Sequence, residues 1–166
     1  PRSVSPHEPE KSVGNEQTFE HDIDDPEVIH AHLLQLSDQV AARLRAAGYV
    51  GRTVCVKVRF ADFSTITRSR TLSRSTDVGK ELYDTVRGLY DGLGLQRVRI
   101  RLVGVRVEGL ADAHDAPHQL LLGEPDNGRR EAEVAVDALR ARFGSAAVRP
   151  ARLVDPNRRS RGPDDA

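Results

Sequence analysis

The sequence predicts an α+β domain: a four-stranded antiparallel sheet with two helices on one face, in the ferredoxin-like βαββαβ order, followed by a C-terminal helix. Three observations lead there. Segments 54–60 and 97–102 alternate apolar with mostly cationic residues, the two-residue period of a strand with one buried and one solvated face. Two other segments repeat their apolar residues every three or four positions, the period of an amphipathic helix. A chain of 166 residues, 38% hydrophobic and 30% charged, is long enough for one core of ordinary size plus extensions.

Residues 1–10 hold three prolines and no apolar periodicity, and read as a linker; with Pro1 in place of an initiator Met, the chain is expected to be a piece of a longer one. A first strand is expected over 12–19. Asp24 or Asp25 then caps a helix with Pro26 in its first turn, carrying Ile29, Leu33, Leu36, Val40, Leu44 and Ala47 on one face and stopped by Gly48. The second strand runs over 52–60, turns at Ala61-Asp62, and pairs with a hairpin partner over 63–72. Thr76 or Asp77 caps a second helix, with Leu82, Val86, Leu89 and Leu93 on one face and Gly92 and Gly94 at its end. The fourth strand is expected over 96–107. Val54, Val56, Val58, Ile100 and Leu102 are expected to form the core with Leu33, Leu36, Leu82 and Val86. A polar loop over 108–117 leads to the tetrad Gln119-Leu120-Leu121-Leu122, then Gly123 and a Pro/Asp/Asn/Gly spacer. The third helix, over 130–143, carries Ala132, Val136, Leu139 and Phe143 as its apolar stripe. Residues 155–166 show no pattern and are expected to form a disordered tail.

The formal net charge of zero hides a polarised chain. Residues 52–106 carry 12 Lys+Arg against 5 Asp+Glu, a net of +7, while residues 1–51 (4 against 9) sum to −5 and residues 107–166 (9 against 11) to −2. Cations on neighbouring strands make a flat positive platform suited to a polyanion, and 22 of the 25 are Arg, whose rigid fork matches phosphate. The predicted contacts are Lys57, Arg59, Arg68, Arg70, Arg97, Arg99, Arg101 and Arg106. Phe60 and Phe63 are expected at the buried side or the turn, which leaves the platform without aromatics and favours the duplex backbone over single-strand stacking. The alternative is a stand-alone ferredoxin-like regulatory or ligand-binding domain with a concave apolar pocket. No convergent acid, base, nucleophile or metal set is present, so no catalytic residue, cofactor or metal is expected in this chain. His30 and His32 are two apart in a helical pattern and point away from each other, and the acids from Glu20 to Glu27 suit a helix start. The single Cys55 has no partner for an intramolecular disulfide and reads as a small buried side chain. No run is long and apolar enough for a membrane span and no signal-peptide core is present, so no membrane partner and a cytoplasmic location are expected.

These segments resemble the C-terminal part of Y-family translesion DNA polymerases of the DNA polymerase IV (DinB) group. Lys11-Ser12-Val13-Gly14-Asn15-Glu16-Gln17-Thr18-Phe19 resembles the opening of that family's little finger domain, VKVRFADFSTITRSRTL at 56–72 its central hairpin, and RIRLVGVRVEGL at 99–110 its last strand. Gln119-Leu120-Leu121-Leu122-Gly123 is similar to the Gln-Leu-x-Leu motif by which these polymerases bind the replicative sliding clamp, with Gly123 where an aromatic often stands. ALRARFGSAAVRP at 138–150 resembles a C-terminal helix of part of the family. The resemblance implies a little finger domain over 11–110, a flexible clamp-binding segment over 111–128, a helix and extended segment over 129–154, and a tail over 155–166. It also implies that the parent is a magnesium-dependent nucleotidyltransferase whose catalytic carboxylates lie before Pro1, so that this piece is inactive alone and grips template-primer duplex.

Overall fold

The computed structural model describes residues 12–115 and 128–151. Residues 1–11, the whole Gln119 to Gly123 motif and the expected tail over 155–166 therefore lie outside the described residues. The elements are β1 (Ser12–Ile23), α1 (Pro26–Ala47), β2 (Tyr49–Phe60), β3 (Thr65–Thr76), α2 (Gly79–Asp91), β4 (Ile100–Glu108), β5 (Ala111–Asp112) and α3 (Arg129–Phe143). The main sheet has the order β1-β4-β2-β3 with every neighbouring pair antiparallel. This is the expected βαββαβ succession with both helices on one face.

The local signals explain most boundaries. The Asp25 side chain accepts a hydrogen bond from the Glu27 amide at 2.9 Å, Pro26 fills the first turn where no donor is missed, and Gly48 at φ 75° closes α1 in the left-handed region. Ile29, Leu33, Val40, Ala41 and Leu44 of α1 and Leu82 and Val86 of α2 are fully buried against Val54, Val56 and Val58 of β2 and Val103, Val105 and Val107 of β4. Fully burying a side chain of this size contributes about 1.5–3 kcal/mol, so this layer outweighs any cap or ion pair on the surface.

The tertiary structure extends β1 to Ile23, starts β2 at Tyr49 and shifts β3 to Thr65–Thr76, and it corrects the expected elements further in four places. β4 begins at Ile100, not at residue 96, because Arg97 adopts φ 52° and Gly94 φ 64°, which turns the chain out of extended conformation. Just beyond that start a bulge sets Ile100 opposite Phe60 but Leu102 opposite Arg59, with Arg101 inserted between. Ile100 therefore joins the core and Leu102, though buried, belongs to the opposite face; Val103, Val105 and Val107 hold the core positions instead. In the expected polar loop, Ala111 and Asp112 form β5 against Val50 and Tyr49.

The fourth correction concerns α2 and α3. Neither Thr76 nor Asp77 is the cap residue of α2, which starts after Val78. Its first amides, Gly79 and Lys80, donate to the Glu133 carboxylate of α3 at 2.8 and 3.3 Å. The apolar stripe of α3 is turned largely outward: Leu139 is 43% and Phe143 65% exposed. The inner face is ionic. Arg45 of α1, with 5% of its side chain exposed, binds Glu133 and Asp137, Arg130 binds the buried Asp77 at 2.9 Å, and Arg140 binds Asp38 at 3.0 Å. Burial alone would lower the Arg45 pKa, but the hydrogen bond to Asp137 and the charges of Glu133 and Asp77 outweigh it and raise it.

Candidate nucleic-acid interface

In an antiparallel sheet directly paired residues share a face, so the pairing register assigns the side of the sheet that the helices leave open. That face carries Gly14, Glu16 and Thr18 from β1, Leu102, Gly104 and Arg106 from β4, Thr53, Cys55, Lys57 and Arg59 from β2, and Thr65, Thr67, Ser69 and Thr71 from β3. Side-chain contacts agree with the assignment. Arg59 donates to the Thr65 hydroxyl at 3.1 Å, Thr53 and Thr71 hydroxyls lie 3.2 Å apart, and Lys57 Nζ reaches Glu16 at 3.2 Å. The outer strand thus presents a row of four hydroxyls beside a row of cations.

The eight predicted cations do not all lie on this platform. Lys57, Arg59 and Arg106 do. Arg101 sits at the β4 bulge, and Arg97 and Arg99 in the segment just before it. Arg68 and Arg70 pair with Val56 and Val54, which places them on the helix side of the sheet, where both stay exposed because β3 is the edge strand. The hairpin register put them there: Arg59 pairs with Thr65 and the Phe60 amide donates to the Ser64 carbonyl, so the loop between paired residues is 61–63, one residue longer than expected, and one added residue inverts the parity of the returning strand.

Acids also intervene where few were expected. Lys57 pairs with Glu16, Arg101 with Asp22 at 3.3 Å, and Arg106 with Glu108 at 2.8 Å. Among the described residues, Arg59, Arg68, Arg70, Arg97 and Arg99 have no carboxylate partner. Three of these, Arg59, Arg97 and Arg99, lie toward the end of the sheet where Phe60 meets Ile100, where the Ala61 amide donates to the Arg99 carbonyl at 3.1 Å, whereas Arg68 and Arg70 stand farther along β3.

Two glycines shape the middle of the face. A side chain at Gly104 would bring its Cβ within 3.2 Å of Glu16 Cβ, and one at Gly14 within 3.1 Å of the Val105 carbonyl and 3.2 Å of Arg106. Their bareness leaves a trough of about 330 Å³ lined by Glu16, Cys55, Lys57, Thr67 and Arg106 along with both glycines. Cys55 lies at its base, 5% exposed; burial first and the Glu108 charge second push its thiol pKa up, against the opposing pull of Arg106, so the group stays a neutral thiol.

One functional candidate escaped the sequence reading. Phe63, expected at the turn or the buried side, is at the turn but 67% exposed, with the Arg101 guanidinium 4.3 Å from its ring centroid. Its signal was its place immediately after Asp62, whose side chain fixes a tight turn through Ser64. Its place at a turn was thus legible, its exposure beside Arg101 was not.

The impB/mucB/samB family C-terminal domain matches residues 10–122. The chain is similar to the DNA polymerase IV of Desulfatibacillum aliphaticivorans, 36% identical over 155 residues that cover 92% of this chain and 39% of that protein. It is likewise similar to DNA polymerase IV 1 of Mesorhizobium japonicum, 36% identical over 151 residues that cover 89% of this chain and 33% of that protein. The chain spans well under half the length of either relative. Among solved structures, a Y-family DNA polymerase chimera of Dbh and Dpo4 superposes with a TM-score of 0.55 at 16% identity, over 63% of this chain and 30% of the chimera. An insertion ternary complex of Dbh DNA polymerase gives a TM-score of 0.51 at 14% identity, over 58% of this chain and 28% of that one. At such identities the shared property is the fold. With the sheet order, the two covering helices and the family match in agreement, the chain belongs to the impB/mucB/samB family, as the little finger domain of a Y-family, DNA polymerase IV-type protein.

Proposed function

We propose that this domain holds the template-primer duplex of a DNA polymerase IV-type translesion polymerase by its phosphate backbone and recruits the replicative sliding clamp. The observation that carries the DNA reading is the open sheet face, whose row of hydroxyls lies beside Lys57 and Arg59 and leads at one end to Arg97 and Arg99 just before β4. Both groups donate to phosphate oxygens and neither arrangement reads base edges, so binding is insensitive to sequence. The trough between Lys57 and Arg106 gives a strand of backbone room to approach the sheet. Catalysis belongs elsewhere in such a polymerase. No group of three or more His, Cys, Asp or Glu among the described residues is placed to hold a metal ion, so no step of magnesium-dependent transfer is assigned to them.

The test is DNA affinity against salt. Neutralising about four phosphates gives a slope of log affinity on log salt of roughly −3.6. Arg59→Ala and Arg99→Ala each flatten it by about 0.9, whereas Lys57→Ala, whose charge is already met by Glu16, has the smaller effect. A slope near zero, or strong preference for one sequence, ends this reading.

The clamp reading rests on Gln119-Leu120-Leu121-Leu122-Gly123. The described elements flank it: β5 is fixed to β2, and α3 is docked by ion pairs, so the chain is anchored on both sides of residues 116–127. Two leucines seated in a preformed pocket contribute about 1.5–3 kcal/mol each, offset by ordering costs, which points to roughly micromolar affinity. Replacing Gln119, Leu120 and Leu122 by Ala is expected to abolish clamp binding in a pull-down or calorimetric titration without changing the melting temperature. A lowered melting temperature, with no clamp binding by the unsubstituted chain, assigns the leucines to intramolecular packing instead.

A further inference from the structure

We propose that the tip of the β2–β3 hairpin is a base-stacking element, in which the free face of Phe63 receives an unpaired nucleobase at the junction between duplex and single strand. This rests on the duplex-binding reading and adds to it a contact that a backbone platform lacks.

Several features separate Phe63 from an ordinary exposed side chain. It is the most exposed of the large hydrophobic residues described, at 67%. Its backbone sits at φ 67°, a conformation that a bulky residue adopts only when its surroundings impose it. The imposing structure is visible. Asp62 Oδ1 accepts from the Ser64 amide at 2.9 Å and from the Ser64 hydroxyl at 2.5 Å, and the Phe63 amide donates to the Phe60 carbonyl at 3.0 Å. The ring is held as well. The Arg101 guanidinium covers one face at 4.3 Å and is itself tied to Asp22 at 3.3 Å. Asp22 is paired with Arg101, and the Ser64 hydrogen bonds hold Asp62 below its ordinary carboxylate pKa, so it keeps its charge; against it stand Arg59, Arg97 and Arg99, which have no carboxylate partner among the described residues.

A fixed aromatic face at the end of the sheet that also carries Arg59, Arg97 and Arg99 favours a ligand that is at once anionic and aromatic. Nucleic acid meets both requirements, since every base has a π-face and every nucleotide a charge. Within a continuous duplex each base is already stacked on both sides and offers only its edges, so a ring face has a partner only where stacking ends. Such a place exists at the first unpaired template nucleotide beyond a primer.

The experiment compares two DNAs with the intact chain: a covalently closed circular duplex, and the same circle opened by a short gap that extends its template as single strand with 2-aminopurine at the first unpaired position. The expected result is tighter binding of the gapped DNA, by roughly 5- to 150-fold for one stacked base, with a change in 2-aminopurine fluorescence on binding. Phe63→Ala abolishes both the preference and the fluorescence change. It leaves the salt slope intact, because no phosphate contact is removed, and Phe63→Tyr restores both readouts. Melting temperature establishes that each variant is folded. The proposal is overturned if the unsubstituted chain binds both DNAs with the same salt-dependent affinity, or if Phe63→Ala keeps the preference. It is also overturned if that substitution weakens both DNAs equally. Absence of salt-dependent binding to either DNA is a different failure, of the duplex reading itself.

Discussion

Replacing Ile100 by alanine is expected to lower the unfolding free energy by about 2–5 kcal/mol, read as a shift of the urea midpoint. Ile100 is 1% exposed, opposite Phe60 in the sheet and inside the core cluster, so the truncation leaves a cavity that the surrounding strands cannot close without moving. Its neighbours test the bulge. Val103→Lys places an unpaired ammonium between the sheet and the helices, where Val103 is fully buried, and is expected to prevent folding. Leu102→Lys carries the same charge on the open face, where the lysine stem can reach water, so this variant is expected to fold with a smaller loss. Equal loss for Leu102→Lys and Val103→Lys would mean that the register shift at Arg101 has been misplaced.

Removing the Arg45 side chain is expected to release α3. Its guanidinium binds Glu133 and Asp137 and also donates to the Asp77 carbonyl at 2.8 Å, so one side chain of α1 holds both the third helix and the entrance to the second. Breaking a buried ion pair costs about 3–5 kcal/mol when the abandoned charge stays buried. Here Glu133 and Asp137 keep 21% and 30% of their side chains exposed and recover hydration once α3 leaves, so Arg45→Ala is expected to cost less, about 1–3 kcal/mol. Hydrogen exchange gives the specific signature. The amides of α3 lose protection together with those of Gly79 and Lys80, whose acceptor Glu133 departs with it, while α1 and β4 remain protected. Persistent protection of α3 in Arg45→Ala would show that another contact docks it.

How much of this was legible differs by residue. For α1, every determinant is local: Asp25, Pro26, the Ile29 to Leu44 stripe and Gly48 lie within one segment and agree with one another. The β2 core positions Val54, Val56 and Val58 were equally plain, because strict alternation admits one buried face. Beyond a turn or a bulge that rule loses its reference. The three-residue loop 61–63 moved Arg68 and Arg70 to the helix side, and the insertion at Arg101 moved Leu102 out of the core. The outward turn of the α3 apolar stripe has another reason. A helix shows which residues share a face, but the face that docks depends on what the partner surface offers, and the surface made by Arg45, Asp77 and Asp38 is ionic.

The sequence by itself determined the element order, the two covering helices, the central core and the concentration of positive charge between residues 52 and 106, because these depend on periods and caps written within single segments. Only the tertiary structure decided which cations share a face, which of them meet Glu16, Asp22 or Glu108, and that Phe63 stands exposed beside Arg101. Lys57 and Glu16 are 41 residues apart, Arg101 and Asp22 79, and Phe63 and Arg101 38, and strand register with a one-residue bulge brings them together. A displacement of one residue inverts every side chain that follows, and no property of a single strand records it.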